Sequence, residues 1–278
     1  MTALTQSRPV SIRPALRHDL TRTSGVGLGI TMLWFSLLVL IPLAAVVVTA
    51  TAGGWAEFWR TITNDQTASA IRLTVTAAAA VTAVNVVMGT TIAWVLVRDR
   101  FVGKQLLELV IDIPFALPTI VAGLVLLSLY GADSPLGLHL ANTSWSVYLA
   151  FLFVTLPFVV RMVQPVLEEL DADVEEAAAS LGASRAVIFR RIVLPSLAPA
   201  IAAGAALSFA RAVGEYGSLV LLSGNLPFES EVTSVRILGA IENDNRGGAA
   251  AIATLLLVIS LLVIVVLDVL QRRVARRG

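Results

Sequence analysis

Residues 168–195 read EELDADVEEAAASLGASRAVIFRRIVLP, a polar segment set between two apolar runs. Glu168, Glu169, Asp171, Asp173, Glu175 and Glu176 make its first half acidic, and Arg185, Arg190 and Arg191 make its second half basic. Ala177, Ala178 and Ala179 favour helix, and Gly182 suits a left-handed C-cap. Ser184 stands where it could N-cap a second short helix with Val187, Ile188 and Ile192 on its apolar face. Acid before base along the chain also agrees with the helix dipole. The spacing predicts a helix, a tight glycine turn and a short helix. Residues 145–163 before it and 195–222 after it are predominantly apolar, so this polar unit is presented between two membrane crossings.

Outward from that segment, the same pattern recurs along the chain. A spanning helix needs roughly 20 mostly apolar residues, because the hydrocarbon core is about 30 Å thick and a helix rises about 1.5 Å per residue. Six stretches qualify: 26–50, 70–97, 109–130, 145–163, 195–222 and 249–270, the fourth being short and containing Pro157. Closed β-barrels are excluded, since their strands alternate in polarity and these runs do not. Composition agrees: 57% of the 278 residues are hydrophobic and 14% charged, with a mean hydropathy of +0.85. A soluble domain carries about 25% charged residues. The sequence is that of an all-α membrane protein with six transmembrane helices, which excludes a soluble enzyme, a nucleic-acid binder and a disordered tail. Cysteine is absent, which excludes disulfides and thiolate metal sites.

Basic residues orient the crossings, because Lys and Arg in short loops stay cytoplasmic. The N-terminal tail holds Arg8, Arg13, Arg17 and Arg22; the loop after the second crossing holds Arg98, Arg100 and Lys104. Arg161, Arg185, Arg190 and Arg191 lie between the fourth and fifth crossings, and Arg272, Arg273, Arg276 and Arg277 close the chain. That places fifteen of twenty basic residues on one side, against Arg60, Arg72, Arg236 and Arg246 on the other. Both termini are expected in the cytoplasm, with a tail at 1–25, a six-helix domain at 26–270 carrying its polar loop at 168–194, and a tail at 271–278. The first apolar stretch, at about 25 residues, exceeds a signal-peptide core, so it is read as a retained signal anchor. Trp55, Trp59, Tyr130 and Trp145 fit an interfacial belt.

The well-embedded charges are Arg211 and Glu215, in the fifth crossing. A charge at mid-membrane costs about 2.5–3.5 kcal/mol even on lenient scales, so such groups face a pathway or the bundle interior. Four residues apart on a helix, the two share a face with Gly204, Ser208 and Ser218 and can pair. Two readings stand: a structural salt bridge, or an arginine lining an anion route. Ala200, Gly204, Ser208 and Ala212 form a small-residue ridge for close packing. Asp112, with Pro114 and Pro118, reads as a kinked segment near the cytoplasmic interface, and Asn85 as an interhelical hydrogen bond. His18 and His139 are lone and suggest no metal site. Glu229, Glu231, Glu242 and Asp244, in the last outward loop, could meet basic residues of a partner or simply be solvated.

The polar segment also resembles a family motif. Glu176-Ala177-Ala178, three residues, Gly182, nine residues, then Ile192-x-Leu194-Pro195 is similar to the EAA loop of ABC-importer permeases. The resemblance implies the type I permease fold, and implies that Glu176, Ala177, Ala178, Gly182, Ile192, Leu194 and Pro195 form the coupling element that docks on a cytoplasmic ATPase. The run at 211–225, RAVGEYGSLVLLSGN, and the DxPFALPTxVAG run at 112–123 resemble the CysT-type permeases of bacterial sulfate/thiosulfate importers. That resemblance implies an importer with a sister permease of the CysW type, two ATPase subunits and an extracytoplasmic sulfate-binding protein. It makes Arg211, Gly214, Glu215, Ser208 and Ser218 candidates for the translocation pathway or its gate. Tyr216 stands where molybdate permeases and the CysW-type sister permease commonly have Phe, and a molybdate or tungstate permease is the nearest alternative.

No catalytic residue and no cofactor of the chain's own is expected. A P-loop needs G-x-x-x-x-G-K-[ST], and the one lysine, Lys104, is followed by Gln105, so ATP-Mg belongs on a separate ATPase polypeptide. An intramembrane enzyme would need a Ser-His or paired-Asp constellation at membrane depth, which His18, His139, Asp112 and Asp268 do not supply. An ion channel would need no ATPase partner, which the EAA pattern argues against.

Overall fold

In the computed structural model, residues 22–275 are described, and all their regular elements are helices. In chain order these are α1 (Arg22–Phe35), α2 (Ile41–Thr51), α3 (Trp55–Ile62), α4 (Asp65–Arg98), α5 (Lys104–Ala116), α6 (Thr119–Tyr130) and α7 (Ser144–Glu169). There follow α8 (Ala172–Ser180), α9 (Arg185–Ile188), α10 (Leu194–Val213), α11 (Gly217–Leu222), α12 (Thr233–Glu242) and α13 (Arg246–Ala275). Among the described residues, five continuous helices are long and apolar enough to cross a membrane, and α5 with α6 makes a sixth if the bent pair is one span. The tail at 1–21, with Arg8, Arg13, Arg17 and His18, and the end of the second tail, with Arg276 and Arg277, lie outside the described residues.

The chain divides into two units at Ala45 and Val46. In the first, α1 and the start of α2 are joined by a π-helical turn, Ser36–Leu40, and residues 25–45 carry no charged side chain. A second π turn, Phe189–Val193, joins α9 to α10. Each precedes a proline, Pro42 and Pro195. A proline ring clashes with the carbonyl four residues back and donates no hydrogen bond, and a widened turn absorbs both defects.

The second unit is built on α4, α7 and α10, with α13 against α10. Small residues bring the helices close. A Cβ on Gly89 of α4 would stand 2.8 Å from the Val159 Cβ, and one on Gly204 of α10 would stand 3.0 Å from the Val159 Cα, so α7 is gripped from both sides. Ala200, Gly204, Ser208 and Ala212 are all buried, as the ridge pattern predicts. One apolar cluster gathers Val81, Leu126, Phe151, Phe209 and Leu219, and a second gathers Leu96, Val160, Val163, Leu167, Val193 and Leu197. Also buried, Asn85 donates to the Thr155 hydroxyl at 2.8 Å, the interhelical bond expected of it.

Three crossings differ from their sequence reading. The third, read as one helix over 109–130, is two helices bent by 116° at Leu117–Pro118. Leu117 is extended (φ −87°, ψ 135°), as the residue before a proline prefers. The fourth runs on to Glu169, so Arg161 lies inside α7 and not in a loop; the Leu and Glu residues after the apolar run are good helix formers. The fifth, read as 195–222, ends at Val213, because Gly214 closes α10 and the chain re-forms as α11. Two short helices, α3 and α12, occupy segments read as outward loop. In α3, Phe58 is buried against Ala50 and Ala251 while Trp55 and Trp59 stay exposed, which suits an interfacial helix.

Candidate functional site

The predicted coupling loop folds largely as its sequence directs. Asp171 caps α8 by accepting the Asp173 amide at 3.0 Å. At the other end Gly182 adopts φ +86°, and the Gly182 and Ala183 amides donate to the Ala179 and Ala178 carbonyls at 2.9 and 3.1 Å. That pair of bonds is a Schellman motif, and glycine permits it at no Cβ penalty. Ala178 and Ile192 are half-buried against the Leu167–Leu197 cluster, while Glu176, Ala177 and Gly182 are exposed. Ser184 precedes α9, but its hydroxyl makes no cap bond. Nor is the second helix separate: α9, the π turn and α10 run as one span, Arg185–Val213, with Leu194 and Pro195 inside it and exposed.

Two anchoring contacts were not legible from motif spacing. Glu175 forms an ion pair with Arg98 at the end of α4, and the Arg98 guanidinium lies over the Trp94 ring, 5.5 Å from its centroid. Trp94 in turn meets Phe189 edge-on at 5.5 Å. These contacts tie the loop to α4 and leave Leu181 as an exposed apolar residue (89%) beside Gly182. A large apolar residue next to a glycine cap is the one sequence signal that could have marked it.

At the Gly214 break, the Glu215 side chain is fully buried and that of Arg211 is 30% exposed. Arg211 Nη2 lies 2.6 Å from Glu215 Oε2. Glu215 Oε1 accepts from both the Ser218 amide and the Ser218 hydroxyl, each at 2.8 Å. The Ser234 hydroxyl donates to the Glu215 carbonyl at 2.6 Å, tying α12 to the break. The carboxylate thus replaces the intrahelical bonds lost at Gly214 and caps the start of α11. A Cβ on Gly123 of α6 would stand 2.6 Å from the Ser218 carbonyl oxygen, so α6 and α11 touch backbone to backbone. Of the candidate pathway residues, Arg211 and Gly214 reach the surface of the chain, whereas Glu215, Ser208 and Ser218 are buried within it. The Ser208 hydroxyl has no hydrogen-bond partner among the described residues.

Asp112 does more than mark a kink. Its carboxylate takes a two-pronged contact from Arg161, Nε to Oδ1 at 2.8 Å and Nη2 to Oδ2 at 2.5 Å, joining α5 to α7. Arg161 Nη1 also donates to Gln164 Oε1 at 2.8 Å, and Gln164 Nε2 to Glu168 Oε1 at 3.0 Å. Glu231, read as an outward acid, is instead buried and accepts from Gln66 Nε2 at 2.8 Å, which removes it from any docking surface. Glu229, Glu242 and Asp244 are exposed. His139 contacts the Gly131 carbonyl at 3.0 Å.

Residues 85–277 match the model of the family described as binding-protein-dependent transport system inner membrane component. The chain is 42% identical over 259 residues to the sulfate transport system permease protein CysT of Salmonella typhimurium, covering 91% of this chain and 94% of that one. It is 41% identical over 250 residues to the CysT of Synechocystis, covering 87% of each. Among solved structures, a chain of a bacterial alginate ABC transporter, crystallised with its alginate-bound periplasmic protein, superposes with a TM-score of 0.75 at 15% identity, covering 90% of this chain and 94% of that one. The fold is that of a type I ABC-importer permease, with many spans and no ATPase motif of its own. The chain belongs to the family of binding-protein-dependent transport system inner membrane components.

Proposed function

We propose that this chain is one of the two transmembrane subunits of an ATP-driven importer for sulfate and thiosulfate. It forms half of the pathway and couples to a separate ATPase through residues 168–194. The observation that carries the coupling role is the build of α8: capped at both ends, fixed to α4 through Glu175 and Arg98, and presenting Glu176, Ala177 and Leu181 outward. A rigid, tethered helix converts movement of a docked partner into tilt of α4 and α10, whereas a solvated loop would dissipate it. The sulfate assignment is supported by identity to CysT permeases along nearly the whole chain. On this reading the partners are two ATPase subunits, a sister permease of the CysW type and an extracytoplasmic sulfate-binding protein.

In this reading the chain sits in the bacterial inner membrane with both termini cytoplasmic, tails at 1–25 and 271–278 flanking the membrane domain at 26–270. The charge asymmetry supports that orientation. Arg211, the partly open member of its pair, faces the pathway, while Glu215, Ser208 and Ser218 support the break at Gly214. Reversing the surface charge with Glu176→Lys tests the coupling role: ATPase subunits should no longer co-purify and uptake should cease, with the permease still inserted. Retained uptake and co-purification would overturn it.

A further inference from the structure

Among the described arginines whose exposure is defined, Arg236 of α12 is the half-buried one without a carboxylate partner; Arg98, Arg161 and Arg211 are all paired. Its Nε is closed off from solvent and meets no acceptor among the described residues. A guanidinium with no carboxylate partner attracts an anion wherever it borders open space. Arg236 lines a recess of about 270 Å³ together with Arg60, Asn64, Thr67, Asn245 and Glu57. Organic ligands occupy pockets of about 300–1,000 Å³, so this one suits a small ion.

The charge and donor balance of the recess favours an anion. Glu57 is offset by Arg60, 3.8 Å away on the exposed rim, which leaves the Arg236 charge uncompensated. Both asparagines spend their oxygens locally: Asn64 Oδ1 accepts from the Gln66 and Thr67 amides at 3.1 and 3.4 Å, and Asn245 Oδ1 from the Gly248 amide at 2.8 Å. Their NH₂ groups remain as donors. A planar guanidinium among amide donors matches a tetrahedral oxyanion. The recess lies where α4 begins, at the opposite end of that helix from Arg98 and the coupling loop. Ser234, two residues before Arg236 on α12, bonds the Glu215 carbonyl, so the helix that carries Arg236 also braces the Arg211–Glu215 pair.

We propose that this recess is a receiving site for a tetrahedral oxyanion, sulfate in the first instance, on the extracytoplasmic face of the permease. The ligand and the face rest on the function proposed above. The anion would be held here after release from the binding protein and before it reaches Arg211.

The test is equilibrium binding of radiolabelled sulfate to the assembled importer in lipid nanodiscs, without binding protein and without ATP. Saturable binding is expected, weakened about tenfold or more by Arg236→Gln and less by Arg236→Lys. The rim variant Arg60→Gln, which leaves the buried arginine in place, should weaken it about two- to fivefold. Arg72→Gln, exposed and away from the recess, should leave it unchanged. Absence of saturable binding, or binding indifferent to Arg236→Gln, overturns the site. So does normal sulfate binding with weakened capture of the binding protein, which would make Arg236 a contact for a partner's carboxylate. Molybdate binding with the same Arg236 dependence, where sulfate does not bind, keeps the oxyanion site and overturns the substrate. Sulfate uptake with binding that ignores Arg236 keeps the substrate and overturns the site.

Discussion

Arg211 and Glu215 are unequal members of one ion pair: the carboxylate is wholly buried, held by Ser218 on one oxygen, while the Arg211 side chain keeps 30% of its surface open. The asymmetry separates their roles. Glu215 is committed to the chain break, and Arg211 has donors left over. Stranding a buried charge costs about 3–5 kcal/mol, and the partial exposure of Arg211 brings Glu215→Gln toward the lower end of that range. Arg211→Met strands the more deeply buried partner and should destabilise more. The double variant should recover part of the loss, with a coupling of about 0.5–3 kcal/mol. Thermal melting of the purified complex checks this. Transport should stay impaired in the double variant, because restored stability does not restore an anion contact.

Gly123 is where α6 and α11 meet without a side chain between them. A methyl group there would overlap the Ser218 backbone, which cannot give way while Ser218 holds Glu215. Gly123→Ala should therefore lower assembly and uptake severely. Gly239, with open space around its Cα, should accept alanine with little change. Yield of assembled complex by gel filtration distinguishes the two.

The crossings were legible because apolar length is a one-dimensional property, and the α8 turn was legible because Gly182 has few other uses after an alanine run. The 116° bend at Leu117–Pro118 was signalled by proline, but proline alone does not distinguish a kink from a break. Arg211 and Glu215 were paired in the sequence reading by helical spacing, and they do pair, though across a chain break and not along one helix. Arg161 with Asp112 and Arg98 with Glu175 were beyond reach, since each joins residues 49 or 77 positions apart and only the packing of α7 and α8 brings them together.

The Arg98–Glu175 pair predicts a charge-swap result. Both side chains are about three-quarters buried, so Glu175→Arg alone sets two like charges together and should uncouple the loop, lowering sulfate uptake about tenfold or more. Adding Arg98→Glu should restore much of the uptake, though not all, because Arg98 also stacks on Trp94. Uptake and sulfate-dependent ATP hydrolysis, measured together, check it.

The most direct test of the account is radiolabelled sulfate uptake in a host lacking its own importer, supplied with this chain and its partner subunits. Excess thiosulfate and a low concentration of molybdate are added as competitors in parallel. The account predicts ATP-dependent sulfate uptake, blocked by thiosulfate, resistant to molybdate and lost with Glu176→Lys. Molybdate accumulation without sulfate uptake would contradict the substrate, and sulfate uptake that survives Glu176→Lys would contradict the coupling route.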